Sequence, residues 1–107
     1  MRGVVAVMVL LYAVFPSAAS AGKAALSLLE GRLAACANIM PCSSLYRWKG
    51  RIELQKEFVA IFKTSKAKVR EARVRILKRH PYDVPCVIEL AGKANRAFEK
   101  WAKGELR

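Results

Sequence analysis

Acidic residues are scarce in this 107-residue chain: 8 Asp and Glu stand against 20 Lys and Arg, a formal charge of +12. That balance predicts attraction to anions and says little about fold. Gly and Pro are few, 6 and 4 residues, which excludes a collagen-like or low-complexity chain. Three cysteines are an odd number, so a closed disulfide framework does not use them all. There is one histidine, and GxSxG, GxGxxG, P-loop and HExxH patterns are absent. A Cys–His nucleophile would need a third orienting group that no spacing supplies. No catalytic function is expected. The uncharged run Gly3–Phe15 is 13 residues, short of the roughly 20 a bilayer-spanning helix needs, and no membrane partner is expected. No Ser/Gly/Pro linker and no internal repeat divides the chain, so residues 1–107 read as one domain.

What remains is globular: 54% apolar and 26% charged residues, enough for one modest core. The N-terminus carries two readings. Arg2, the uncharged run and Ala19-Ser20-Ala21 have the form of an export signal with a small-x-small cleavage site. Ala6–Phe15, rich in Val, Leu, Tyr and Phe, equally has the form of a buried strand ended by Pro16. Ser17 is then an N-cap, and Ala21, Ala24, Ala25, Leu28 and Leu29 fall at helical spacing, with Gly31 as the breaker. The cleavage signature lies inside that helix, and this favours the strand.

Further along, Leu33–Met40 is short and apolar and reads as a strand, interrupted by Pro41-Cys42-Ser43-Ser44. Leu45–Trp48 alternates as a half-buried strand, Lys49-Gly50 supplies a turn, and Arg51–Lys63 is a long strand paired back as a hairpin. Ser65 is an N-cap for a helix over Lys66–Arg79 with Val69, Ala72 and Ile76 inward, and His80-Pro81 ends it. Val87–Leu90 is a short strand, and Asn95–Ala102 a terminal helix with Phe98 and Trp101 on one face. The order is βαββαβ plus a tail helix, an α+β ferredoxin-like plan. Helices would cover one sheet face, and the open apolar face has to be covered, for which oligomerisation is one way.

The segments Ala35-Cys36-Ala37-Asn38, Tyr46-Arg47-Trp48-Lys49-Gly50-Arg51-Ile52-Glu53, Glu57, Lys63-Thr64, His80-Pro81-Tyr82-Asp83-Val84-Pro85 and Trp101 follow one another at a familiar spacing. Together they resemble the CutA family of divalent-cation tolerance proteins, over about residues 6 to 103. The resemblance implies a ferredoxin-like protomer in a compact homotrimer, with Leu10–Phe15 as the first strand. It implies a link to copper or other divalent metal ions, and no catalytic mechanism. A cytoplasmic location is expected with it. The chain departs from the family pattern at Leu54-Gln55-Lys56, at Cys86 and in the strongly basic helix 66–79.

Thiolates and imidazole suit soft or borderline ions such as copper(I) or zinc, which makes Cys36, Cys42, Cys86 and His80 the candidate metal ligands. Cys36 and His80 match family motif positions, and Cys36, His80 and Cys86 form the expected metal set. The alternatives are ordinary: cysteine is a common core residue, and His80 can serve the helix end by meeting its last carbonyls. Tyr46, Trp48, Tyr82 and Trp101 are candidates for a pocket or subunit interface. No organic cofactor is expected. The basic helix offers a second reading, a trimeric scaffold that takes an anionic ligand, acidic partner or nucleic acid through Arg70 and Arg73. It lacks an RRM-type signature, so nucleic acid is not the expected partner.

Overall fold

A computed structural model describes residues 8–107. Ala6 and Val7, the expected start of the first strand, lie outside them. The elements are β1 (Met8–Phe15), α1 (Ala18–Glu30), β2 (Cys36–Trp48), β3 (Arg51–Ser65), α2 (Val69–Arg79), β4 (Val87–Gly92) and α3 (Arg96–Glu105). The four strands form one antiparallel sheet in the order β2-β3-β1-β4, so the expected α+β, ferredoxin-like βαββαβ arrangement is present. Among the described residues, no helix is long and apolar enough to cross a membrane.

Local chemistry explains the ends of α1. The Ser17 side chain accepts from the Ser20 N–H at 3.0 Å while the Ser20 hydroxyl accepts from the Ser17 N–H at 3.3 Å, a reciprocal cap. At the other end Gly31 is not left-handed; Arg32 takes that conformation, at φ 56°. The Leu33 N–H then reaches the Leu28 carbonyl and the Arg32 N–H that of Leu29, closing a Schellman motif. Gly31 serves instead as clearance: the Arg75 guanidinium occupies the space a side chain would need. From there it donates to the Ser27 carbonyl at 3.2 Å and ties α2 to α1.

Several element bounds and one apolar position differ from the sequence expectation. β2 runs unbroken through Pro41-Cys42-Ser43-Ser44, because it is an edge strand and an edge tolerates a proline without an N–H. Ser65 does not cap α2. It pairs with Met8 as the last residue of β3, and the helix starts at Val69 after a turn, with Lys68 at its cap. Leu29 sits at the margin of the α1 stripe, 39% exposed.

Strand alternation and register sort the residues by face. Leu11, Ala13 and Phe15 of β1 pair with Phe62, Ala60 and Phe58 of β3 and pack under α1 and α2, against Ala21, Ala24, Leu28, Ala72 and Ile76. The reverse face carries Leu10, Tyr12 and Val14 beside Lys63, Ile61 and Val59. α3 lies at the Met8 end of that reverse face: Ala102 and Leu106 cluster with Met8 and Ala35, and the Lys63 ammonium sits 5.3 Å from the Phe98 ring. Past Phe58, β2 and β3 continue without β1 as a two-stranded ribbon. Lys49 and Gly50 close it with φ of 50° and 79°, the left-handed pair that a two-residue hairpin turn requires.

Candidate functional site

The open face gathers most of the chemistry. Even-numbered β2 residues and odd-numbered β3 residues point to it, which places Cys42 directly across from Glu57 and Ser44 across from Gln55. At the base of the ribbon a cavity of about 780 Å³ opens between these strands and the segment joining α2 to β4. Its walls include Tyr46, Trp48, Tyr82, Glu57, Asp83 and Cys86.

His80 sets the path of that segment. Pro81 disfavours helix in the residue before it, so His80 leaves α2 in an extended conformation. Its Nδ1 accepts from the Tyr82 N–H at 3.1 Å, which puts the ring proton on Nε2. Nε2–H donates to the Val14 carbonyl at 2.6 Å, and the ring stacks on Phe15 with centroids 4.5 Å apart. His80 thus bonds a strand carbonyl and its own loop, not the last helix carbonyls. Both ring nitrogens are engaged.

The loop so held delivers Tyr82 to Glu57. The Tyr82 hydroxyl donates to Glu57 Oε2 at 2.5 Å. Burial, then the hydrogen bond to Glu57 and its charge, push the Tyr82 phenol well above the ordinary tyrosine range. Glu57 itself is 6% exposed. The Tyr46 hydroxyl donates to Gln55 Oε1 at 2.6 Å, which fixes that ring on the cavity wall.

Of the expected pocket aromatics, Tyr46, Trp48 and Tyr82 meet at this cavity. Trp101 does not; it stands on α3 against Phe98, at the Met8 end of β1. The expected metal set is not brought together within one protomer. All three cysteines are free thiols. Cys36 lies level with Leu10 on the β2 edge and Cys86 beside Val14 at the β4 edge. Three strand spacings and four residues separate them by roughly 20 Å. Among the described residues no three His, Cys, Asp or Glu side chains converge as a metal site. On α2, Arg73 forms an ion pair with Glu89 of β4, so its charge is already matched, while Arg70 is exposed. Glu57 entered the sequence reading only among the residues that carry the resemblance, with no site role; the signal available was an acidic residue on the alternation of a strand otherwise turning apolar.

Known proteins share this fold. The family model for CutA1 divalent ion tolerance protein matches residues 9–105. The divalent-cation tolerance protein CutA of Pyrococcus horikoshii is 41% identical over 95 residues, 88% of this chain and 93% of the relative. That of Thermococcus kodakarensis is 40% identical over 94 residues, 87% and 90% of the two chains. The crystal structure of CutA1 from Ehrlichia chaffeensis superposes with a TM-score of 0.91 at 33% identity, covering 97% of this chain and 99% of its own. With the sheet order, the YRWKG hairpin turn and the HPYDVP loop all in place, this chain belongs to the CutA1 family of divalent-ion tolerance proteins.

Proposed function

We propose that the protein acts as a homotrimer that binds divalent or soft metal ions, copper foremost, and buffers them without catalysis. The observation that carries this reading is that all three thiols stand on the sheet face that α1 and α2 leave open. Cys36 and Cys42 occupy open-face positions of β2, and Cys86 lines the open-face cavity. Thiolates select copper(I) and zinc over harder ions. Their separation within one protomer means that a complete ligand set draws on more than one subunit. His80 contributes by holding the loop that carries Cys86.

Assembly has its own support. Leu45, Ile52 and Leu54 on the ribbon are 72%, 69% and 66% exposed, and Ile88 and Leu90 on β4 are about half exposed. A ribbon of two strands is marginal alone, and apolar surface of this extent marks an interaction site. β2 and β4 are sheet edges, which a partner strand can close. Three reduced thiols suit the cytoplasm, where disulfides are rare.

The test is native mass spectrometry of the reduced, anaerobic protein titrated with copper(I), copper(II) and zinc, with magnesium as control. A trimer that takes up copper in fixed multiples of three, and loses uptake in Cys36→Ala and Cys86→Ala, is expected. Graded adducts equal to those of magnesium would overturn the metal reading. A monomer would overturn the assembly.

A further inference from the structure

Glu57 presents an unusual charge problem. It is one of two buried polar side chains among the described residues, and neither ion pair found among them involves it. Among the described residues its hydrogen-bond partner is the Tyr82 hydroxyl on Oε2, which leaves Oε1 open to a further donor. A buried carboxylate without a cation loses hydration that one hydrogen bond repays only in part. The surrounding cavity makes the shortage sharper. In a chain with 20 Lys and Arg, no Lys, Arg or His lines it. Its walls bring a second carboxylate, Asp83, and three aromatic rings, Tyr46, Trp48 and Tyr82. The faces of such rings carry negative potential and attract cations. Trp48 already does so at the rim, where the Lys49 ammonium lies 6.0 Å from its centroid. The positive charge of the chain collects elsewhere: the second cavity, at the Met8 end, is lined by Lys66, Lys68, Arg96, Lys100, Lys103 and Arg107.

We propose that the cavity between the β2–β3 ribbon and the 81–86 loop binds a small organic cation bearing N–H donors, an alkylammonium or guanidinium compound. Glu57 Oε1 accepts from its N–H groups and supplies the counter-charge. Tyr46 and Trp48 flank its apolar body. The cavity, about 780 Å³, has the size of a small-molecule site. This goes beyond metal tolerance and stands independently of it. The cavity walls hold one thiol, Cys86, and among the described residues no three metal donors meet. A charged amine with an apolar tail matches what the walls do offer.

The experiment uses the full chain in its native assembly, carrying Trp101→Phe so that Trp48 is the sole indole. It is titrated with n-butylammonium chloride, with 1-butanol as the neutral counterpart and zinc chloride as the metal probe, read by fluorescence and calorimetry. Saturable binding of one butylammonium per protomer, with a change in Trp48 emission, is expected; 1-butanol gives none. Glu57→Gln keeps an acceptor for Tyr82 and weakens binding by about tenfold or more. Trp48→Leu, at a half-exposed ribbon position that the core does not use, weakens it several-fold by calorimetry and decides the matter if Glu57→Gln fails to fold. Equal binding of 1-butanol and butylammonium overturns the proposal, as does unchanged affinity in either variant. So does zinc that binds stoichiometrically and excludes butylammonium. Absence of butylammonium binding, with a changed assembly mass in Glu57→Gln, also overturns it and assigns Glu57 to a basic side chain of a second copy.

Discussion

Ala13, Ala60 and Phe62, on the side of the sheet under α1 and α2, have no exposed surface, whereas Tyr12, Ile61 and Leu90 on the reverse of the sheet remain partly in water. The helix-covered side is built of small and large apolar residues that interlock, with alanine from α1 against alanine of the sheet. Its titratable groups lie at the margins, where Glu89 of β4 pairs with Arg73 of α2 and His80 stacks on Phe15. The reverse side holds the three thiols, Glu57 and the cavity. The two buried polar residues divide the same way. Thr64, under the helices, donates to the Leu33 carbonyl at 2.8 Å and is satisfied within the protomer. Glu57, on the reverse, has a hydrogen bond but no opposite charge. One side is satisfied within a single chain, and the other leaves a buried carboxylate without a counter-charge in the protomer.

The difference is broken most severely at Phe62, whose ring meets Phe15 edge to face at 6.5 Å. Phe62→Ala is expected to cost about 3–5 kcal/mol in denaturant unfolding, since the cavity left behind has no way to refill. Leu54→Ala, on the exposed ribbon, is expected to stay within about 0.5 kcal/mol in a dilute monomeric sample. A comparable loss at both sites would mean that the ribbon is buried as deeply as the core, and the contrast would fail.

Assembly sharpens the same contrast. Leu90→Glu places a charge in the middle of the reverse side without touching the helix-packed core. If the reverse side carries the trimer, sedimentation equilibrium will show the mass falling from three protomers to one while the far-ultraviolet circular dichroism is retained. An unchanged mass would place the interface elsewhere.

How much of this was legible in the sequence follows the same division. Elements whose signals are local were readable: the Ser17 cap, the alanine stripe of α1, the Lys49-Gly50 turn and the His80-Pro81 stop. Pro41 misled because its meaning depends on whether a strand is an edge, and that is known only once β3 has chosen its neighbours. Ser65 misled because cross-strand pairing with Met8 competes with capping, and the sheet wins. Site residues were partly legible. Tyr46, Trp48 and Tyr82 meet because one hairpin and one loop share an end of the sheet, whereas Cys36 and Cys86 lie on opposite edges, a separation no spacing along the chain reveals. Arg73 looked like a free cation in a basic helix, yet β4 brings Glu89 beneath it.

Smaller effects test the satisfied polar group. Thr64→Val keeps the shape and removes the hydroxyl, leaving the Leu33 carbonyl without that donor. A loss of about 1–3 kcal/mol is expected by chemical denaturation, the cost of an unmet buried acceptor. A neutral result would show that the Leu33 carbonyl finds another donor, and that this side of the sheet is less tightly determined than its packing implies.

The smallest effect is confined to alkaline pH and concerns Tyr82. An unfolded tyrosine loses its proton near about pH 10. In the folded protein burial and the neighbouring Glu57 hold that proton on to higher pH. Above pH 10 the unfolded chain therefore binds fewer protons than the folded one, and stability falls as pH rises. Below pH 10 both states keep the phenolic proton, and this group contributes no slope. Tyr82→Phe should remove the high-pH step of the phenolate absorbance titration and flatten the alkaline decline in melting temperature. A high-pH step that survives in Tyr82→Phe would mean that another tyrosine carries it, and that Glu57 does not hold the Tyr82 proton in solution. In that event the buried carboxylate would need a different partner before any ligand arrives.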